Sequence, residues 1–180
     1  MPVILLAVTL PSELVKSIDS NYPFLASYGK SALSPHITLI PPFNVRDEEV
    51  NDVIKKLSEE LSLYDKFSIS LDSVDSFTGE NNVIYLEPDT DSYKRLSDIN
   101  KEVTSIVDNF IDKRQQEKAE RPFIGHVTLG KKIPNENFLD LLEKTKMAFI
   151  KLEFVCESIS VYQLNDNWIK LMDISLNQDI

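Results

Sequence analysis

A single cysteine and two histidines leave this chain little with which to build a metal centre or a disulfide. Cys156 has no partner for an internal bridge and no Cys or His at metal-ligand spacing. It reads as a small apolar side chain in a strand, and a reducing cytoplasm is the expected compartment. Positive charge is also scarce: 19 Lys and Arg stand against 29 Asp and Glu, for a net charge of −10. A protein that grips many phosphates along a duplex presents a basic face, so a long duplex is not an expected partner. A small nucleotide, or one RNA end held by a few local cations, fits the charge. No run approaches the roughly 18 apolar residues of a membrane span, and no membrane partner is expected. The apolar opening, Met1 to Leu10, lacks a basic lead-in and runs at once into Pro11, Ser12 and Glu13. It is therefore expected to be an interior strand kept in the mature protein, not a secretory signal.

What is present is a regular alternation of strand and helix patterns. Residues 3 to 9 form a β-rich apolar run, and Ser12 is placed to cap a short helix carrying Leu14, Val15 and Ile18. Asp47, followed by Glu48 and Glu49, is placed to cap an amphipathic helix with Val50, Ile54, Leu57 and Leu61 at helical spacing. Phe67, Ile69 and Leu71 alternate, and Val83 to Leu86 follow the turn-like Gly79-Glu80-Asn81-Asn82, which together predict a hairpin. A longer helix is expected from about Asp91 to Ile111, ahead of the charged run Asp112 to Arg121. That run reads as a solvated helix end or loop, or alternatively as a flap over a site. A further helix from about Glu136, with Phe138, Leu139 and Leu142, precedes strand-like Phe149 to Val161 and Trp168 to Leu176. The order of elements over residues 34 to 87 thus recurs over residues 124 to 176.

Both histidines sit in the same pattern, His36-Ile37-Thr38-Leu39 and His126-Val127-Thr128-Leu129. Chance alone gives both matches on the order of 2 times in 100,000. In strands, residues i and i+2 share a face, so each imidazole has a threonine hydroxyl beside it while the intervening apolar residue faces a core. Imidazole titrates near neutrality: one ring can accept a proton while the other donates one, and the hydroxyls can hold nonbridging phosphate oxygens. Two structural histidines in half-buried strands, or a zinc site, are the competing readings. The latter lacks a third ligand at motif spacing.

Ser34-Pro35-His36-Ile37-Thr38-Leu39 and the later Arg121-Pro122-Phe123-Ile124-Gly125-His126-Val127-Thr128-Leu129-Gly130-Lys131 resemble the paired motifs of the 2H phosphoesterase superfamily. That superfamily includes 2′,5′ RNA ligase-like proteins and cyclic nucleotide phosphodiesterases. The resemblance implies an α+β, bilobal, pseudo-twofold fold with antiparallel sheets around a central cleft and helices on the outside, residues 1–180 forming a single domain of two interleaved lobes. It carries catalytic roles to His36, Thr38, His126 and Thr128, with no cofactor and no metal. The implied activity is that of a metal-independent phosphoesterase on a cyclic (2′,3′-type) or 2′,5′-linked nucleotide or RNA-end phosphodiester. A noncatalytic nucleotide or RNA-end binding module with the same fold is the alternative, and a scaffold with its cleft unused is a third reading. Gly125 stands where many members have proline. Arg121 and Lys131 flank the second motif and are the candidate cations for phosphate. Phe43 and Tyr162 are candidates to stack on a base, against ordinary packing.

Overall fold

Two hydrophobic periodicities, of two residues in strands and about 3.6 in helices, dictate the architecture. The computed structural model, which describes residues 1–29, 32–111 and 122–177, resolves them into one sheet with helices packed against it. In chain order the elements are β1 (Val3–Thr9), α1 (Ser12–Asn21), β2 (His36–Asn44), α2 (Val50–Leu61), β3 (Phe67–Phe77), β4 (Asn82–Pro88), α3 (Thr90–Val107), β5 (Val127–Ile133), α4 (Asn135–Met147), β6 (Leu152–Cys156), β7 (Ser158–Asn165) and β8 (Asn167–Ser175). Short 3-10 turns occupy Pro23–Leu25 and Asp47–Glu49. The charged run from Asp112 to Arg121 lies outside the described residues. Among the described residues no helix is long and apolar enough to cross a membrane.

The strands form a single eight-stranded sheet in the order β6-β3-β4-β5-β2-β1-β7-β8, and every pair of neighbours is antiparallel. Counted outward from the centre, β5-β4-β3-β6 mirrors β2-β1-β7-β8, which is the strand-order signature of a pseudo-twofold. The two lobes are therefore halves of one sheet, joined by a thin seam at which the register pairs Ile37 of β2 with Val127 of β5. Each half takes in a strand from across the seam: β3 follows β2 and α2 in the chain but pairs with β4, and β7 pairs with β1. The recurrence read from the sequence accordingly starts one strand and one helix earlier than residue 34, at β1, which is answered by β4.

One face of the sheet is apolar throughout. Ile4, Leu6, Ile37, Leu39, Ile69, Leu71, Ile84, Leu86 and Val127 meet Val53, Leu57 and Leu61 of α2, Leu96, Ile99 and Val103 of α3, and Phe138 and Leu141 of α4 in one core. Each fully buried Leu or Ile contributes about 1.5–3 kcal/mol. Helix α3 packs on β2, β3 and β4 and so crosses behind the seam. There Asn100 Nδ2 donates to the carbonyl of Leu39 at 2.8 Å.

Local signals were less reliable than the periodicity. Ser12 is the first residue of α1 and makes no capping bond, Pro11 standing at the cap. Asp47 does not cap α2: it lies in the 3-10 turn and its carboxylate pairs with the Met1 amine at 3.2 Å, while Arg46 pairs with Glu49. The cap that does form is Asp89, which accepts from Ser92 N at the start of α3. Leu139, expected on the core face of α4, is 70% exposed, and Leu141 takes its place.

Candidate active site

The opposite face of the sheet carries both motifs. Ile37 and Val127 are wholly buried in the core, so the alternation of strand side chains turns His36, Thr38, His126 and Thr128 to the other side. Residues directly opposite in antiparallel strands share a face. Extending the Ile37–Val127 register by one residue each way sets His36 across from Thr128, and Thr38 across from His126. The four side chains thus mark the corners of a square laid over the seam.

Each imidazole is tethered in the same way. His36 Nδ1 lies 2.8 Å from the Ser34 carbonyl and His126 Nδ1 lies 2.6 Å from the Ile124 carbonyl, both two residues back along the chain. A carbonyl can only accept, so Nδ1 carries the proton and Nε2 is the nitrogen left to exchange one. Burial holds the pKa of both rings below the usual 6.5, the tethering carbonyls opposing it; at His36 the charges of His126 and Lys131 lower it further.

The surroundings of the two rings differ. His36 and Thr128 line a cleft of about 450 Å³ together with Lys131, Ser34, Pro35 and Leu33, whereas Thr38 and His126 lie outside its lining. Beside His36 on the same face, Thr9 is its register partner on β1, and Thr9 Oγ1 is 3.3 Å from Ser160 Oγ. Ser160, wholly buried, donates to Asp173 at 2.5 Å, and Asp173 holds Lys170 at 3.1 Å. His126 instead faces rings: Phe77 at 5.2 Å, edge-on at 85°, and Tyr85 at 4.9 Å and 54° between centroids.

The loop before β5 is held from α3. Tyr93 stacks on Phe123 with centroids 5.9 Å apart and donates its hydroxyl to the Phe123 carbonyl at 2.9 Å. A Cβ at Gly125 would come within 3.0 Å of the Phe123 ring, so glycine relieves a contact at this position. A second clasp crosses from the α1 side, where Gly29, at φ +36, packs on the Lys131 backbone so closely that a Cβ would lie 2.6 Å from its carbonyl oxygen.

The remaining sequence candidates separate. Lys131 is beside the site. Phe43 is not: it pairs with Ile4, lies in the core on the helix side of the sheet and is 6% exposed, so it packs and cannot stack on a base at the cleft. Tyr162 is on the motif face, but it is 7% exposed beneath a small cluster with Leu5, Ala7, Leu33 and Trp168, Lys170 lying 5.9 Å from its ring centroid. Arg121 lies outside the described residues. Sequence reasoning passed over Phe77 and Tyr85. Tyr85 was signalled by its place between the core residues Ile84 and Leu86; Phe77 was not, because it shares the parity of the core residues Ile69 and Leu71 and reaches the other face only through the register shift between Leu71 and Ser73.

A sequence profile of the 2′-5′ RNA ligase superfamily matches residues 10–168. A protein of Bacillus licheniformis named "Putative phosphoesterase" is 27% identical over 163 residues, which is 89% of this chain and 91% of that one. A Bacillus anthracis protein of the same name is 29% identical over 163 residues, 89% and 90% of the two chains. Among solved structures, TT0787 of Thermus thermophilus superposes with a TM-score of 0.72 at 18% identity, covering all of both chains. E. coli LigT complexed with 3′-AMP superposes with a TM-score of 0.70 at 15% identity, covering 99% of this chain and 100% of that one. These likenesses extend to the fold as a whole.

Proposed function

The chain belongs to the 2′-5′ RNA ligase superfamily of two-histidine (2H) phosphoesterases, and from that premise we propose that it hydrolyses a cyclic (2′,3′-type) or 2′,5′-linked nucleotide or RNA-end phosphodiester, using His36 and His126 as a general base and general acid pair. The observation that supports this reading is the square of His36, Thr38, His126 and Thr128 over the seam, implied by the Ile37–Val127 register. One Nε2 takes a proton from water as its oxygen attacks phosphorus. The other Nε2 delivers a proton to the ribose oxygen as the phosphorus–oxygen bond breaks, so the pair ends with its protons exchanged and charge balanced. Thr38 and Thr128 donate to the nonbridging oxygens, where charge builds in the transition state. Lys131 adds a positive charge at the His36 end.

The product is a phosphomonoester. The test is phosphorus NMR of the protein incubated with 2′,3′-cyclic mononucleotides, which follows turnover and distinguishes a 2′ from a 3′ product. His36→Ala and His126→Ala should each lower the rate at least about a hundredfold, the usual scale of a positioned proton carrier. Activity should persist after exhaustive chelation, because the two rings supply both proton transfers. Loss with EDTA and recovery with zinc or manganese would replace this mechanism with a metal-assisted one. No turnover, with nucleotide-dependent thermal stabilisation, would make the chain a binding module.

A further inference from the structure

The two motifs are alike in sequence and in their Nδ1 tethers, yet an aromatic pair packs against one ring and a cleft opens beside the other. Phe77 and Tyr85 lie 4.5 Å apart between centroids, tilted by 33°, and both press on the His126 ring. Tyr85 is the register partner of Thr128, and Phe77 that of Val83. The pair is thus built into the floor of the sheet beside β5, not borne on a loop. Tyr85 is 3% exposed, and its hydroxyl, bonded to Asp75, has its pKa pushed up to about 12 chiefly by burial, so the ring stays neutral. Among the described residues no aromatic ring touches His36; its neighbours are the cleft and Lys131.

We propose that Phe77 and Tyr85 are positioning residues for His126: an aromatic wall along one side of the ring that, with the Ile124 tether, fixes the plane of this imidazole. The inference rests on the reading of His126 as a proton carrier but is measured separately from it. With one nitrogen bonded to a carbonyl and two rings packed against one side, the imidazole cannot turn without breaking the bond or giving up the ring contacts. Its Nε2 is therefore aimed before substrate arrives, which is the preorganisation a proton transfer requires.

The chain has two histidines, so its imidazole C–H proton resonances are two sets, assigned by losing one in His36→Ala. The ionisable groups on this face of the strands around His126 are His36 on β2, Asp75 on β3, Tyr85 and Glu87 on β4 and Lys131 on β5. Replacing a ring by leucine removes none of them apart from the neutral Tyr85 phenol. Phe77→Leu is the principal variant because Phe77 is only half-buried, and Tyr85→Leu is the second. Both should raise the His126 titration midpoint towards 6.5 by admitting water, move that of His36 at most slightly downward through its coupling to His126, and lower kcat by about tenfold to a hundredfold with little change in KM. Tyr85→Phe keeps the ring and should leave both titrations and the rate within about twofold. The proposal is overturned if the His126 midpoint stays fixed in the leucine variants, if both midpoints rise together, or if Tyr85→Phe matches Tyr85→Leu. Absence of turnover in the parent protein would remove the catalytic reading while the titrations still decide whether the aromatic wall positions His126.

Discussion

Two imidazoles with depressed pKa values set the acidity at which the proposed pair works. The active form has one ring protonated and one neutral. Burial disfavours the charged form of each, so the singly protonated state is most populated at a pH midway between two macroscopic values whose mean lies under 6.5. The kcat/KM profile should therefore be bell-shaped with its maximum below pH 6.5, falling as pH rises because the acid loses its proton, and at the lowest pH because the base gains one. A maximum at or above pH 7 would mean that the rings are more hydrated in solution than this geometry allows. Gly29 offers a second test at the same scale. Its φ of +36 and its approach to the Lys131 carbonyl leave no room for a side chain. Gly29→Ala should cost about 1–3 kcal/mol in urea unfolding and reduce turnover, since the backbone that gives way carries Lys131.

Among the elements, the helix behind the seam has the least redundant role. The strands carrying the two motifs share almost no ladder, and the Leu39 carbonyl is satisfied by the Asn100 side chain of α3. Asn100→Ala leaves that part-buried acceptor without its donor and should destabilise the protein by about 1–3 kcal/mol, read from the shift of the urea midpoint. Asn100→Asp, which cannot donate, should be no better. This seam also marks how far the sequence could be read. The period-two pattern around His36 and His126 carried the strands, the buried Ile37 and Val127 and the face of the four motif residues, because alternation is local. Neither the identity of the strand beside each motif nor the contact of Phe77 and Tyr85 with His126 is local: both depend on β4 pairing with β5 some 40 residues later. Phe43 was misread for a different reason: it keeps the parity of the buried Ile37 and Leu39, and the two register shifts in the β1–β2 pairing cancel in parity, so alternation itself places it on the core side. The caps expected at Ser12 and Asp47 failed because proline and a 3-10 turn preset the first turn of each helix instead.

At the scale of the whole molecule, the pseudo-twofold is a symmetry of arrangement and not of chain path. The half that carries His126 is assembled from β3, β4, β5 and β6, consecutive in the chain from Phe67 to Cys156. The half that carries His36 joins β1 and β2 to β7 and β8, and its central pairing sets Ala7 against Ser160, across about 150 residues. Contacts that close long loops pay their entropy before they are rewarded, and they form slowly. During refolding, pulsed hydrogen exchange should accordingly find the amides of β3 and β4 protected before those of β1 and β7; simultaneous protection would point to a single nucleus spanning the seam. The same route has a temporal meaning during synthesis. The first motif histidine is synthesised early and waits, its half of the sheet lacking its outer strands, until β7 and β8 have emerged. On the proposed reading, the acid–base pair is assembled only when those two strands dock.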